Sequence, residues 1–313
     1  MNPGNGSSLR RNRGIALITA MLITAIATMV AANLAWDNAL DVRRTVVTLG
    51  RDQAVQVALG AESWVISILQ QDLQDNQTDH LGEIWAQQLP GFPIDGGELF
   101  GAIEDLQGRF NVNNLVDNNG NVQQESLEQF QRLLKVLDLD PRFAGIAADW
   151  IDTNENASFP DGAEDPIYTG RIPPYRTANQ PLTSVSELAA LEGMDRATFR
   201  TLEPHIVALP GRTGINVNTA TPAVLQSLDE NMSAADVEGL MSERESGGFN
   251  DLQASFATLV TPDVLNQLED STQYFRLKVV VRIDTVRITM YSVLQRAAQT
   301  GTVTPILRSF GAT

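Results

Sequence analysis

Cysteine is absent from the 313 residues, which excludes a catalytic thiol, a thiolate zinc site and a disulfide framework. Histidine is scarce. His80 lies in a polar connection and His205 follows Pro204 at a helix start, so neither marks an imidazole metal site or a catalytic pair. Bases are few beside acids, 22 Lys and Arg against 38 Asp and Glu, for a net charge of −16. Such a surface repels nucleic acid and anionic lipid headgroups and suits bound cations. Charge is missing altogether from residues 15–36. At a helical rise of ~1.5 Å per residue this run reaches roughly 30 Å, enough to cross a bilayer core. The chain is long enough for one membrane helix and about two globular units, and a hydrophobic content of 43% suffices to pack them.

What is present begins with Arg10, Arg11, Asn12, Arg13 and Gly14, set directly before the apolar run. Thr19, Thr24 and Thr28 are tolerable inside it, because a hydroxyl can bond back to a carbonyl of the preceding turn. Trp36 suits an interfacial anchor at the far end. An ordinary signal peptide is the alternative, with Val30-Ala31-Ala32 as its cleavage site. Its hydrophobic region would span only ~7–15 residues. This run is longer, and the helical pattern continues past Trp36 without a break. Arg43, Arg44 and Arg51 follow the span, so the balance of flanking cations does not orient it.

From residue 37 to about residue 71 the pattern predicts a helix continuing the membrane segment. Ala54, Ala58, Ala61, Val65 and Ile68 form its apolar stripe, and Gly50 and Gly60 weaken it locally. Residues 75–93 read as polar and irregular, with a helical piece over 81–89. Gly96-Gly97 signals a turn and residues 98–105 a strand. Residues 274–283 and 286–294 are rich in β-branched side chains around Asp284-Thr285, a hairpin signal. Everything between is helical: 126–137, 142–151, 185–191, 197–202, 222–228, 234–242, 251–256 and 262–267. Strands that share one sheet yet are split by a helical stretch imply an α+β fold with an inserted α-domain. Residues 299–313 carry no readable motif.

Two motifs within the helical stretch bear on chemistry. Asp152-Thr153-Asn154-Glu155-Asn156 places oxygen side chains at alternate positions, and Glu164 and Asp165 follow. The residue twelve along is Ala163 instead of Glu, so this is not an EF-hand loop. Asp152, Asn154, Asn156, Glu164 and Asp165 are candidate ligands for a hard cation, and the same spacing also fits a solvated acidic turn. No nucleophile or base accompanies these carboxylates, so a catalytic pair is not read here and no enzyme activity is expected. Residues 215–225 open like a helix-hairpin-helix unit, with Thr219 or Thr221 as cap and Pro222 in the first turn. The hairpin position, Leu228-Asp229-Glu230-Asn231-Met232, has two acids and no Gly, which argues against phosphate binding.

The leader and apolar run, Arg13-Gly14-Ile15-Ala16-Leu17-Ile18-Thr19, resemble a type IV prepilin. More specifically they resemble the minor pseudopilin K family of type II secretion systems, which lacks the Glu that other pilins carry at the position of Thr19. The resemblance extends over most of the chain. It includes 79–86, 103–113, Ala148-Asp149-Trp150-Ile151-Asp152, Gly162-Ala163-Glu164-Asp165 with Tyr168, 175–179, 184–188 and Asn216-Val217-Asn218-Thr219-Ala220. It implies a type IV pilin-like fold, a long N-terminal helix on a small antiparallel sheet, with a large inserted all-α domain of SAM-like or helix-hairpin-helix-like units. The expected organisation is a leader at 1–14, the transmembrane part of the helix at 15–36 and the first part of the pilin-like core at 37–108. Inserted units follow at 109–210 and 211–271, then C-terminal core strands at 272–298 and a tail at 299–313.

By the same resemblance, prepilin peptidase cuts after Gly14 and methylates Ile15, and Thr19 marks a subunit with no neighbour above it. The acidic loop then holds structural calcium. The protein sits in the inner membrane with a single pass and a periplasmic globular part. It meets other minor pseudopilins at the tip of the pseudopilus and helps to start its assembly; secreted proteins and the outer-membrane channel are further partners under this reading. A membrane-anchored DNA-uptake protein using the helix-hairpin-helix segment is the alternative.

Overall fold

One helix, α1 (Asn12–Asp75), runs from the apolar segment into the folded part without interruption. It belongs to a computed structural model that describes residues 12–87, 89–245 and 247–311. Residues 1–11, most of the expected leader, lie outside that range. After α1 come strands β1 (Leu89–Ile94) and β2 (Gly97–Asp105). Residues 106–273 are the insertion. It holds β3 (Phe110–Asn111), α2 (Gln124–Val136), α3 (Arg142–Ile151), α4 (Asp165–Tyr168), α5 (Arg196–Leu202), β4 (Ile206–Val207), β5 (Ile215–Asn216), α6 (Pro222–Gln226), α7 (Ala234–Arg244), α8 (Leu252–Phe256), α9 (Pro262–Leu265) and β6 (Leu268–Glu269). Strands β7 (Tyr274–Ile283), β8 (Val286–Arg296) and β9 (Val303–Phe310) close the chain.

The main sheet has the order β1-β2-β7-β8-β9 and is antiparallel throughout. Alternation along β7 turns Phe275, Leu277, Val279, Val281 and Ile283 toward α1, where Ala54, Ala58, Val65 and Leu69 meet them. Alanine at two of these helix positions lets the helix lie close on the sheet. The expected hairpin closes at Asp284-Thr285, with Ile283 opposite Val286 and Asp284 at φ 49°, as a tight hairpin turn requires.

Two strands of the main sheet escaped the sequence reading, as did the four short strands β3, β4, β5 and β6 in the stretch read as all-helical. The stretch read as irregular over 75–93 contains most of β1, whose Pro93 and bulge between Leu89 and Phe92 suit an edge position. Residues 299–313 are not a bare tail, because β9 pairs along β8 and forms the other edge. Its Pro305 and the bulge at Ile306, opposite Val293 and Leu294 of β8, break the alternation that would have announced it. The helix expected over 185–191 is a 3₁₀ segment, Val185–Ala190, held by a capping box between Ser184 and Glu187.

Between β2 and β7 the insertion has its own core, which runs continuously from Phe110 and Phe130 through Trp150, Tyr168 and Leu188 to Val224, Leu240 and Phe256. Phe110 and Phe130 stack with centroids 5.0 Å apart. Two short parallel ladders, β3 with β4 and β5 with β6, draw distant segments together near the base. The base itself is organised by Asp105 at the end of β2. Its buried carboxylate accepts from Gln107 N at 2.7 Å, Asn216 Nδ2 at 2.8 Å, Thr272 Oγ1 at 2.6 Å and Thr219 Oγ1. Burial pushes the Asp105 carboxyl upward, and these four donors pull it back.

Candidate functional site

The apolar start of α1 is solvent-facing along its length: Ile15, Leu17, Ile18, Met21, Ile23, Met29, Leu34 and Trp36 are all exposed. It is the one described helix long and apolar enough to cross a membrane. Thr24 and Thr28 donate to carbonyls one turn back at 2.8–3.0 Å, which removes their polarity from the helix surface. Thr19 does the same to Ala16 O at 3.0 Å, so this position presents neither charge nor a free hydroxyl. Helix α1 passes through Gly14 and Ile15 without a break.

At the end of α3 the acidic loop forms a cluster rather than a solvated turn. Asp149 and Asp152 are fully buried and Glu164 is 2% exposed. Asp149 and Asp152 are three residues apart across the helix end, and Gly162 brings the loop back over them. A Cβ at Gly162 would lie 2.2 Å from Asp149 Oδ2 and 2.3 Å from Ser158 N. Asp149 Oδ2 accepts from Ser158 N at 3.0 Å, and Asp152 accepts from Asn154 N at 3.2 Å and Asn154 Nδ2 at 2.7 Å. Glu164 Oε2 accepts from Thr177 Oγ1 at 3.0 Å. Burial, and then the negative charges of Asp149 and Glu164, push the Asp152 carboxyl up to about 6. Burial also raises Glu164, with Asp149 and Asp165 adding to the effect.

Three buried side-chain oxygens on the segments around the end of α3 have no hydrogen-bond donor: Asp149 Oδ1, Glu164 Oε1 and Asn179 Oδ1. Buried acceptors left unpaired are costly unless something positive faces them. The donor set is all oxygen, the chemistry of Ca²⁺. Of the five residues expected from spacing, Asp152 and Glu164 belong to this cluster and Asn154 braces Asp152. Asp165 is already held, by Thr177 N at 3.1 Å and by Arg176 Nη1 at 3.4 Å. Asn156 stands exposed and lends the loop only its backbone N–H. Asp149 and Asn179 were missed. Asp149, one helical turn before Asp152, was the readable signal, whereas Asn179 is brought to the end of α3 only through the chain reversal that bonds its N–H to Trp150 O at 3.0 Å.

The helix-hairpin-helix lookalike is turned inward. Arg132 of α2 donates to Ser227 O at 2.8 Å and Leu228 O at 3.1 Å, occupying the hairpin's carbonyls. Arg244 donates to Val217 O at 3.2 Å and Ala220 O at 2.7 Å. Both guanidiniums are committed to the fold, and the DNA-uptake alternative finds no support.

A long partly apolar helix on an antiparallel sheet, with a helical domain inserted between two of its strands, defines a pilin-like protein of α+β class. Family models described as type II secretion system (T2SS), protein K, match residues 108–211 and 215–272. The type II secretion system protein K of Pseudomonas aeruginosa is 34% identical, over 96% of this chain and 94% of that one. Its namesake in Aeromonas hydrophila is 31% identical, over 92% and 94%. A crystal structure of the GspK–GspI–GspJ complex from the type 2 secretion system of enterotoxigenic Escherichia coli contains a chain that superposes with TM-score 0.76 at 25% identity, covering 86% of this chain and 100% of that one. The chain belongs to the type II secretion system protein K family. It is a minor pseudopilin, a structural component of type II secretion with a candidate membrane anchor at its N-terminus.

Proposed function

We propose that this minor pseudopilin caps the pseudopilus tip, helps to start its assembly, and is anchored in the inner membrane with its globular part in the periplasm. The observation that carries this reading is the insertion seated on the end of the stem, where Asp79, just after α1, donates its N–H to Asp270 O at 2.9 Å and accepts from Thr272 N at 2.7 Å. A bulky domain at that end leaves no room for a further subunit, and Thr19, bonded to its own helix, offers no carboxylate to a neighbour's terminal amine. Leu40, Val42, Val46, Val47 and Leu49 are exposed on α1 beyond the apolar run. They supply a face for the stems of two other minor pseudopilins; a relative has been solved in complex with GspI and GspJ. Prepilin peptidase cuts after Gly14 and methylates Ile15.

Two measurements test this. Mass spectrometry of the mature chain is expected to find methylated Ile15 at its start, and a chain beginning near Asn33 would overturn the reading. Because the protein has no native cysteine, Leu40→Cys or Val47→Cys is expected to cross-link specifically to single cysteines on partner stems in membranes. Absence of any adduct speaks against stem packing.

The acidic loop, on this reading, holds structural calcium through Asp149, Asp152, Glu164 and the Asn179 side chain. The ion supplies the positive charge that three buried carboxylates lack, and the residues fix the loop against α3. Chelation is expected to lower the melting temperature of the full chain in detergent, and an unchanged midpoint counts against the ion.

A further inference from the structure

A second group of carboxylates lies away from the acidic loop, where the stem meets the root of the insertion. After α1 the chain folds back, with Asn76 N bonded to Asp72 O at 2.8 Å and Asp79 N to Asp270 O at 2.9 Å. This brings carboxylate oxygens of Asp72, Asp79 and Glu83 within 4.8 Å of one another. Asp79 is 1% exposed. Its Oδ2 accepts from Thr272 N at 2.7 Å and from Arg296 Nη2, while its Oδ1 is buried and has no hydrogen-bond partner. Glu83 is held by Asn76 Nδ2 at 2.7 Å, His80 N at 3.1 Å and Trp85 Nε1 at 2.6 Å.

The charges do not balance. Among the described residues Arg296 is the one guanidinium against the three carboxylates, 3.4 Å from Asp72 and in contact with Asp79. It also donates to Thr272 O at 2.8 Å and lies 4.9 Å from the centroid of Phe275. His80 Nε2 is 3.9 Å from Glu83 Oε1, and its Nδ1 accepts from Gly82 N at 3.1 Å. The buried Asp105 carboxylate adds negative field from the insertion side. Three carboxylates against one guanidinium leave two negative charges, the charge of one divalent ion. All donors are oxygens, which favours a hard cation over zinc or copper. The irregular, largely dehydrated set favours Ca²⁺ over Mg²⁺, which keeps its waters and demands an octahedron.

We propose that Asp72, Asp79 and Glu83 bind one Ca²⁺ ion that fixes the root of the insertion to the end of the stem. The site is separate from the acidic loop and stands or falls independently of it. Asp79 links the two parts directly, through its own contacts to Asp270 and Thr272 and through its carbonyl, which accepts from Asn216 Nδ2 at 3.0 Å.

The test uses the full chain in detergent, stripped of metal. Ca²⁺ is titrated by calorimetry and Tb³⁺ by luminescence under tryptophan excitation, since the Trp85 indole bonded to Glu83 sensitises an ion bound there. Asp72→Asn retains an acceptor for Arg296, and Glu83→Gln retains one for Trp85. Each is expected to remove one equivalent of Ca²⁺ or weaken it at least tenfold, while the equivalent that depends on Asp152 is unaffected. Asp152→Asn is expected to keep the junction equivalent. If Asp72→Asn and Glu83→Gln both bind as the parent does, or if Asp152→Asn alone abolishes all Ca²⁺ binding, the proposal is wrong. If Asp152→Asn changes nothing while Asp72→Asn loses an equivalent, the junction site stands and the loop reading falls.

Discussion

Replacing Arg308 by alanine should detach the last strand of the sheet. Glu62 of α1 points into the space between helix and sheet, where it is 2% exposed. Its partners are Ser292 Oγ on β8 and Arg308 on β9. The Arg308 fork makes contacts of 2.9 Å from Nε to both carboxylate oxygens and 2.6 Å from Nη2 to Oε2. Little else holds β9 apart from its ladder to β8, because Ile306, Leu307 and Phe310 are exposed and Val303 alone of its apolar side chains is buried. Removing one partner of a buried pair costs about 3–5 kcal/mol, since the other charge is left uncompensated. The Arg308 side chain is itself 44% exposed, so water can enter the gap and the cost belongs at the low end, about 3 kcal/mol. Against a typical total of about 5–15 kcal/mol this is large. Urea unfolding of the full chain in detergent measures it, and native-state hydrogen exchange locates it. Protection of the amides in Val303–Phe310 should fall before that of β7. Arg308→Lys should recover only part of the loss, because an ammonium cannot make the fork. A change below about 0.5 kcal/mol, the level of an exposed pair, with β9 protection intact, would refute the claim that this ion pair closes the sheet.

Gly162→Ala should abolish calcium binding by the acidic loop without unfolding the pilin-like core, because the new methyl would overlap Asp149 Oδ2 and the Ser158 backbone; calorimetry beside a circular-dichroism melt checks both halves. Stability in chelator should fall as pH rises from about 4 to about 7. Asp152 and Asp72 are pushed up to about 6 and Asp79 to about 7, in each case chiefly by burial, so the folded chain holds protons that the unfolded chain, near 3.8, has released. The melting temperature without metal should therefore be higher at pH 5 than at pH 7.5, calcium should narrow the gap, and a midpoint that rises with pH in chelator contradicts the assignment.

The architecture was legible where one physical rule acts alone. Period-two alternation in residues 274–294 and the stripe Ala54, Ala58, Val65 gave the central strands and the helix that covers them. The edges were not legible, since proline and bulges in β1 and β9 suit an edge while erasing the pattern that identifies a strand. At the acidic loop the spacing Asp152, Asn154, Asn156 suggested alternate ligands along an extended segment. The segment instead curls, so Asn154 turns back on Asp152, Asn156 faces water and the third carboxylate comes from the preceding helical turn as Asp149. Asn179 and the junction group Asp72, Asp79 and Glu83 depend on chain reversals that no local period encodes.

The placement of cations explains how one sequence can look like a nucleic-acid module and belong to a secretion machine. Arg132, Arg244 and Arg296 all point inward, onto carbonyls at 227 and 228, 217 and 220, and 272. Each closes a place where the insertion folds back on itself or on the stem, and each is thereby withdrawn from the surface. The acids are distributed differently. Asp229 and Glu230 sit at the hairpin where a phosphate binder would need bare amides, and Asp229 caps the backbone of Asn231 at 2.9 Å. The same helical frame that presents amides to phosphate elsewhere is therefore closed by arginine from within and shielded by carboxylates from without. Buried carboxylate oxygens without a donor remain in the loop after α3, at Asp149 and Glu164, and at the junction with the stem, at Asp79. A fold braced in this way favours a rigid helical head on a long stem over a surface that reads nucleic acid.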